Sequence, residues 1–405
     1  MLSWQQAREA VIELVRARGR RPGREWVRLG RALGRVLAEP VSADRDLPPF
    51  PRSIRDGFAL RAADTNPIPS EFQIVAEIKA GGSYDGAIGH RQAARIMTGA
   101  PVPAGADAVV MVEHTREISP SRVAVDRAAR PGDHIVPQGA EARAGQKLLE
   151  PGRRIGFSEL ALLAQVGAER VRVFRQPRVA LLTTGDEIVP AGAPVGPFQV
   201  RDTNGVSLAA QVALAGALVI ALSPAADDSQ ALSDRIREGL QADLLVLSGG
   251  VSKGKYDLVE GALRGLGAEL HFDEIAIRPG RPAVFGWCAG KPVFGLPGNP
   301  VSTMVTFELL VVPAIDLLAG AEPRSLPLIA ARLDAPLEEK EGLTHFLPAR
   351  VEWTPKGAAA RPIPWRGSGD VAGMAQANGF LLVPADRPRW TRGEMIDVLP
   401  RRDLL

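Results

Sequence analysis

Between residues 177 and 320, short uninterrupted apolar runs alternate with amphipathic stretches of helical length, and this alternation constrains the fold more than any other feature of the chain. The expected strands are VALLT (179–183), ALVIAL (217–222), DLLVLS (243–248) and PVFGL (292–296). Helices are expected after them at 203–215, 229–241, 258–266 and 300–319. Apolar runs that never alternate with polar residues belong to strands buried on both faces, and helices of this length between them imply a parallel sheet covered on both sides. Ligands of such sheets sit in the crevice beyond the carboxyl ends of the strands.

The flanking sequence has a different texture. Residues 4–18 and 26–38 carry apolar residues at helical spacing, for instance Val11, Leu14 and Val15, then Leu29, Leu33, Val36 and Leu37, and predict two amphipathic helices. From DLPPFPRS at 46–53, Pro and Gly punctuate short β-type runs, which predicts a small β-rich domain ending near 144. SELALLAQVG at 158–167 returns to helix with Ser158 as its cap. The last stretch, with FLPARVEW and GFLLVPADR, predicts a small barrel or sandwich. A chain of 405 residues accommodates two to four such domains at roughly 150 residues each.

Charge and cysteine content exclude several functions. With 49 Lys+Arg against 46 Asp+Glu the chain has no global field for a polyanion, so no nucleic-acid partner is expected. The one local exception is RARGRRPGRE at 16–25, which could grip an anionic partner but reads rather as a solvated connector between two helices. Cys288 is the only cysteine and the five histidines lie far apart, so no disulfide and no Cys- or His-based metal centre is expected. A transition metal handled by this chain must find its soft ligands elsewhere. The N-terminus mixes charges through its apolar positions and resembles neither signal peptide nor anchor. The uncharged run Val206–Ala226 is broken by Gln211, Gly216, Ser223 and Pro224 into helix plus strand. No membrane partner is expected, and the location expected is cytoplasmic.

Three segments follow strands of the α/β region and therefore gather on one rim: TTGDE (183–187), SGGVSKGKYD (248–257) and GLPGNPVS (295–302). In the last, Pro297 and Gly298 suit a type II turn, Asn299 an N-cap and Pro300 the first helical position. That arrangement leaves the amides of Val301, Ser302 and Thr303 open to an oxyanion. Gly249 and Gly250 allow close approach of a ligand, and Ser252, Lys253 and Lys255 supply donors. Asp257 with Glu260 also makes a capping box. Asp186 and Glu187 put adjacent carboxylates at a strand end, as Mg²⁺ beside a phosphate requires. Arg278 and Arg281, in IRPGRPAVFGW just before another strand, offer guanidinium forks for tetrahedral oxyanions. Each segment alone is equally an ordinary turn. Together they describe phosphate chemistry on a small anionic ligand.

The combination TTGDE, DTNG (202–205), SGGVSKGKYD, IRPGRP and GLPGNPVS, joined by RDGFAL (55–60) and MTGAPVPAGADAVVMVE (97–113), resembles the MoeA-like molybdenum insertase family, the molybdopterin molybdenumtransferases. The resemblance covers nearly the whole chain and weakens after about 325. It implies a multidomain α/β fold: a helical/extended dimerisation domain (1–45 and 145–176), an inserted β-rich domain (46–144), a central doubly wound α/β domain that binds molybdopterin (177–326) and a small C-terminal β domain, barrel-like (327–405). The implied reaction is Mg²⁺-dependent insertion of molybdate into adenylylated molybdopterin with release of AMP. The pterin dithiolene would supply the thiolates that the single cysteine cannot.

The resemblance also assigns residues. Asp186, Glu187, Asp227 and Asp257 match acidic positions associated with Mg²⁺ and nucleotide. Gly249, Gly250 and Ser252, with Pro297, Asn299, Pro300 and Ser302, would line the pterin phosphate or adenylate, and Arg278, Arg281, Arg350 and Ser368 would hold molybdate. Asp56 and Thr98 match functional positions of the inserted domain, which in this family reaches over the cleft of the other subunit of a homodimer. The molybdopterin adenylyltransferase is a further partner it implies. Departures are Arg278 and Arg281, where lysines are common, the two lysines 253 and 255, and Glu141, one position from an expected aspartate. Adenylyltransferases and competence-damage-type amidohydrolases share the α/β domain but lack the 46–144 element. A receptor-clustering scaffold and a preference for tungsten are the remaining alternatives.

Overall fold

The computed structural model describes residues 1–225, 228–250 and 258–404. They divide into two compact units, one of residues 1–38, 152–156 and 170–405, the other of 39–151 and 157–169.

In the first unit, helix α1 (Trp4–Arg18) opens with a capping box: the Ser3 hydroxyl accepts from the Gln6 amide while the Gln6 side chain accepts from the Ser3 amide. Its buried face, Trp4, Ala7, Val11 and Val15, joins the main core. The second expected helix is absent. Strand β1 (Arg24–Arg28) pairs antiparallel with β2 (Arg170–Phe174), and Leu29–Arg31 forms only a single 3₁₀ turn. Gly34, with φ of 74°, interrupts the apolar spacing that had suggested a helix there.

The central sheet contains β3 (Arg178–Thr183), β4 (Leu218–Ala221), β5 (Leu244–Ser248), β6 (Glu269–Glu274), β8 (Pro282–Cys288) and β9 (Lys291–Leu296) in the order β4-β3-β5-β9-β8-β6, with the two-residue strand β7 (Ile277–Arg278) between β6 and β8 in sequence. β4, β3, β5 and β9 run parallel as expected, but β8 runs antiparallel to both of its neighbours, β9 and β6, so the sheet is mixed. A tight turn at Ala289–Gly290 returns β8 directly into β9 without a crossover helix. Helices α2 (Thr203–Ala215), α3 (Ser229–Gly239), α4 (Leu258–Gly265), α5 (Pro300–Thr306) and α6 (Val312–Leu318) cover both faces. Val179, Leu181, Leu244 and Val246 pack with α2 and α5, whereas Ala180, Leu182, Leu245 and Leu247 pack with α3 and α4. Alternate side chains of continuous apolar strands thus feed two cores.

The helices following β3 and β9 lie on one face and that following β5 on the other, which makes the carboxyl end of β5 a switch point. A one-turn π segment, Phe307–Val311, joins α5 and α6. The whole run Pro300–Leu318 is apolar and long enough to cross a membrane, but it is 83% buried within the fold.

The C-terminal strands β10 (Ile329–Leu333), β11 (Thr344–Thr354), β12 (Gly357–Pro362), β13 (Gly379–Val383) and β14 (Met395–Pro400) close into a five-stranded barrel, because β11 pairs with both β12 and β13. Two-residue β7 pairs parallel with β11, setting Arg278 beside His345 and tying the barrel to the α/β layer. Helix α7 (Val371–Gln376) is capped by Asp370, whose carboxylate accepts from the Gly373 and Arg366 amides.

The second unit is built on a curled six-stranded sheet in which Gly57–Leu60 is paired on both sides, by Gln92–Ile96 and Ala108–Met111. It also holds the helix Phe157–Gln165. Ser158 lies inside that helix, so the expected cap is one position too late; its hydroxyl donates to Glu159 instead.

Candidate functional site

The turns leaving β3, β5 and β9 meet at the carboxyl edge of the sheet and, with β7 and the segment 365–371, enclose a cavity of about 1350 Å³. Of the residues expected at the site, Glu187, Gly249, Gly250, Arg278, Arg281, Pro297, Asn299, Pro300, Ser302 and Ser368 line it. Asp227, Ser252, Asp257, Lys253 and Lys255 lie outside the described residues. Asp186 is exposed on the rim next to Glu187 and is not among the lining residues, and neither is Arg350, on β11 opposite Arg361. Asp56 and Thr98 belong to the second unit, where the Thr98 amide and hydroxyl donate to Asp56 Oδ1 at 2.6 and 2.9 Å. Those two donors hold the Asp56 carboxyl below its ordinary pKa. Glu141, in the same unit, pairs with Arg52 at 2.7 Å.

Hydrogen bonds fix the floor. Asn204 Nδ2 donates to Ser248 Oγ at 2.9 Å and to the Gly298 carbonyl at 2.8 Å, while Ser248 Oγ donates to the Pro297 carbonyl at 3.2 Å. One carboxamide therefore ties the turn after β5 to the turn after β9. Asp202 caps α2 through the Gly205 amide at 2.7 Å and accepts from Thr183 Oγ1 at 3.1 Å, tying the start of α2 to β3. Gly249, at φ of 98°, lies so close to β3 that a Cβ there would meet the Thr184 carbonyl at 2.6 Å. The close approach at Gly249 is thus to the end of the neighbouring strand, within the floor itself.

The start of α5 differs from its sequence reading. Gly298 does not take the positive φ of a type II turn, and Asn299 occupies the N-cap position without a side-chain capping bond. The Val301 amide donates to the Ser368 carbonyl at 3.0 Å and the Thr303 amide to the Asn299 carbonyl at 3.0 Å, so two of the three amides expected to face a ligand are already engaged. Ser368 reaches the cavity wall because its backbone docks on this helix end.

Arg281 pairs with Glu274 at 3.3 Å, which leaves Arg278, Arg201 and part of the Arg281 fork as the basic groups of the wall. Beside Arg278, His345 is buried, and that burial pushes its pKa down, with the Arg278 charge acting in the same direction. Glu339, 3.0 Å from the ring's Nδ1, acts in the opposite direction. Two buried oxygens of the lining, Thr184 Oγ1 and Asn204 Oδ1, have no hydrogen-bond partner among the described residues. Orphaned polar atoms in a cavity wall await a polar ligand.

Sequence reasoning about single residues missed Arg201, Thr184, Asn204, Leu343 and Trp365. Asn204 had a signal, since it lies in the DTNG stretch that carried part of the resemblance. Trp365 and Leu343 had none, because they come from the barrel region and only the fold brings them here.

Such a site defines a class: an α/β enzyme with an arginine-lined cavity at a strand-end switch point, closed on one side by a C-terminal barrel. Comparison with known proteins is specific. Residues 2–167 match the MoeA N-terminal region (domain I and II), residues 180–317 a probable molybdopterin binding domain, and residues 330–400 the MoeA C-terminal region (domain IV). The molybdopterin molybdenumtransferase of Bacillus subtilis (strain 168) is 35% identical over 390 residues, covering 94% of this chain and 90% of that protein. That of Staphylococcus epidermidis RP62A is 33% identical over 378 residues, covering 92% and 90%. A molybdopterin biosynthesis MoeA structure from Pyrococcus horikoshii is 35% identical with a TM-score of 0.75, covering 97% of this chain and 98% of that one. A second from the same organism superposes with a TM-score of 0.83 at 26% identity, covering 99% and 100%. The chain belongs to the MoeA family of molybdopterin molybdenumtransferases and is a transferase of molybdenum cofactor biosynthesis.

Proposed function

We propose that this chain inserts molybdenum from molybdate between the dithiolene sulfurs of adenylylated molybdopterin, with Mg²⁺-dependent release of AMP, in the strand-end cavity. The observation that carries the reading is the convergence of three strand-end turns, Arg278 and Ser368 on one cavity of about 1350 Å³, roomy enough for a pterin and a nucleotide together.

The chain's own part is binding and orientation. Arg278 and Arg201 supply fixed positive charge for tetrahedral oxyanions and phosphates. The Asn204–Ser248–Gly298 bonds hold the turns after β5 and β9 at a fixed distance, so the two ends of a long substrate meet a rigid floor. The Thr184 and Asn204 oxygens offer hydrogen bonds to a heterocycle or sugar. Among the described residues no His or Cys lines the cavity, in keeping with soft metal ligands supplied by the dithiolene.

Oxygen donors are the right chemistry for Mg²⁺, though among the described residues no group of three or more His, Cys, Asp or Glu gathers to hold a metal ion. Asp186 and Glu187 fit a cation that takes its remaining ligands from phosphate oxygens and water. A Mg²⁺ held there would supply charge neutralisation for the phosphoanhydride.

The reading includes a homodimer, supported by the apolar residues Val206, Leu214 and Leu218 left exposed on α2 and edge strand β4. It also includes delivery of substrate by the adenylyltransferase and a cytoplasmic location, with Pro300–Leu318 consumed by the core. The test supplies adenylylated molybdopterin, molybdate and Mg²⁺ to the purified protein and follows AMP and cofactor together. Stoichiometric, molybdate-dependent formation of both supports the reading, and no turnover under those conditions refutes it.

A further inference from the structure

A second cavity, of about 300 Å³, lies at the opposite, amino-terminal ends of the same strands. Arg178 opens β3, Lys291 opens β9, and Asp243 immediately precedes β5. The connector between α1 and β1 contributes Arg20 and Arg21, and the β2–β3 link contributes Arg175. Five cationic side chains therefore face one small space with a single carboxylate, that of Asp243.

Asp243 is already engaged: its Oδ2 accepts from the Arg178 amide at 2.8 Å and its Oδ1 lies 3.8 Å from Lys291 Nζ. Among the described residues, the side chains of Arg20, Arg21, Arg175 and Arg178 have no carboxylate partner. The surface around them is arranged otherwise. Arg16 pairs with Glu322 and Arg18 with Glu269, and farther off Arg235 pairs with Glu238 and Arg237 with Asp234. A solvated basic face would show the same interspersed acids. Here like charges repel across a concave wall, where the field is focused, and among the described residues Asp243 is the one carboxylate lining it.

Trp287 also lines the cavity and is only 9% exposed, so its ring forms an apolar wall beside the guanidinium groups. Guanidinium forks match the oxygens of a small, multiply charged oxyanion, and the volume is at the lower end for a small-molecule site.

We propose that this cavity is a second oxyanion-binding site, distinct from the strand-end cavity, held by Arg20, Arg21, Arg175 and Arg178. Its chemistry suits either a phosphate compound or a free tetrahedral oxyanion. The proposal does not depend on the proposed reaction, since it uses none of the residues of the first cavity.

Equilibrium dialysis of the purified chain against pyrophosphate and, separately, molybdate tests it, with the parent compared to Arg20→Ala/Arg21→Ala and to Arg278→Ala/Arg281→Ala. Arg20 and Arg21 are exposed connector residues, so the first variant should fold, and Arg175→Glu provides an independent second variant. Loss of charged hydrogen bonds should weaken the second site about tenfold or more in both, while the Arg278→Ala/Arg281→Ala variant retains it. Tighter pyrophosphate binding at the retained site assigns a phosphate compound, and tighter molybdate binding a tetrahedral oxyanion. Isotherms of the Arg20→Ala/Arg21→Ala and Arg175→Glu variants superimposing on the parent, or anion binding abolished by Arg278→Ala/Arg281→Ala alone, would overturn the proposal. Capture of an acidic peptide without saturable binding of either anion would also overturn it.

Discussion

Asn204 reaches Ser248 across the floor of the strand-end cavity, Nδ2 to Oγ at 2.9 Å, and the same nitrogen holds the Gly298 carbonyl at 2.8 Å. Replacing Asn204 with Ala leaves a buried hydroxyl and a carbonyl each short of a donor. A stability loss of about 1–3 kcal/mol is expected in urea unfolding. Turnover should fall by at least about tenfold beyond what that loss explains, because the two turns lose their common tie. Kinetics at saturating substrate separate the effects: a fall in kcat marks loss of orientation.

Arg278 is the fork left to the cavity wall while Arg281 is shared with Glu274. Arg278→Ala should raise the KM for molybdate about tenfold or more, and Arg281→Ala by less. Arg278→Lys keeps the charge but loses the bidentate geometry, so it should fall between Ala and the parent. Steady-state kinetics with molybdate as the varied substrate check the order.

At Gly249 the backbone takes φ of 98° and a Cβ would stand 2.6 Å from the Thr184 carbonyl. Gly249→Ala should therefore strain the floor at the switch point, costing about 1–3 kcal/mol. Gly261, where a Cβ would meet nothing within 4 Å, provides the control: Gly261→Ala should be neutral or stabilising. Thermal unfolding of the two variants checks the contrast.

Asp56 carries a pH dependence with a definite sign. Its folded pKa is depressed below 3.8 by the Thr98 amide and hydroxyl, so the bound carboxylate stabilises the fold above that value, and the stabilisation is lost as pH falls from there through the folded pKa. Asp56→Asn should flatten the acid limb of a stability-versus-pH curve in that window. Superimposable acid limbs for parent and variant would refute the coupling.

Much of this fold was readable because local and global signals agree. Asp202 and Gly216 bracket α2 as N-cap and left-handed C-cap, and the expected 203–215 is the observed helix. The 26–38 segment misled because Leu29, Leu33, Val36 and Leu37 keep helical spacing. Its real partner, Arg170–Phe174, lies some 140 residues away, where no local pattern reaches. The direction of β8 was hidden likewise: PAVFGW reads as a strand either way, and β6, with only Phe272 buried, hardly reads as one.

The rim was legible because strand ends converge in any doubly wound sheet. The engaged amides of Val301 and Thr303 were not, since Ser368 is brought to the helix start only by the barrel. Of the basic stretch at 16–25, the sequence showed charge but not the strand starts that Arg20 and Arg21 would face.

Diffraction at the molybdenum absorption edge from crystals grown with molybdate locates the oxyanion. An anomalous peak is expected inside the strand-end cavity, within contact of Arg278 and the Ser368 segment. Full occupancy of molybdate elsewhere on the protein, with that cavity empty of anomalous signal, would contradict that placement.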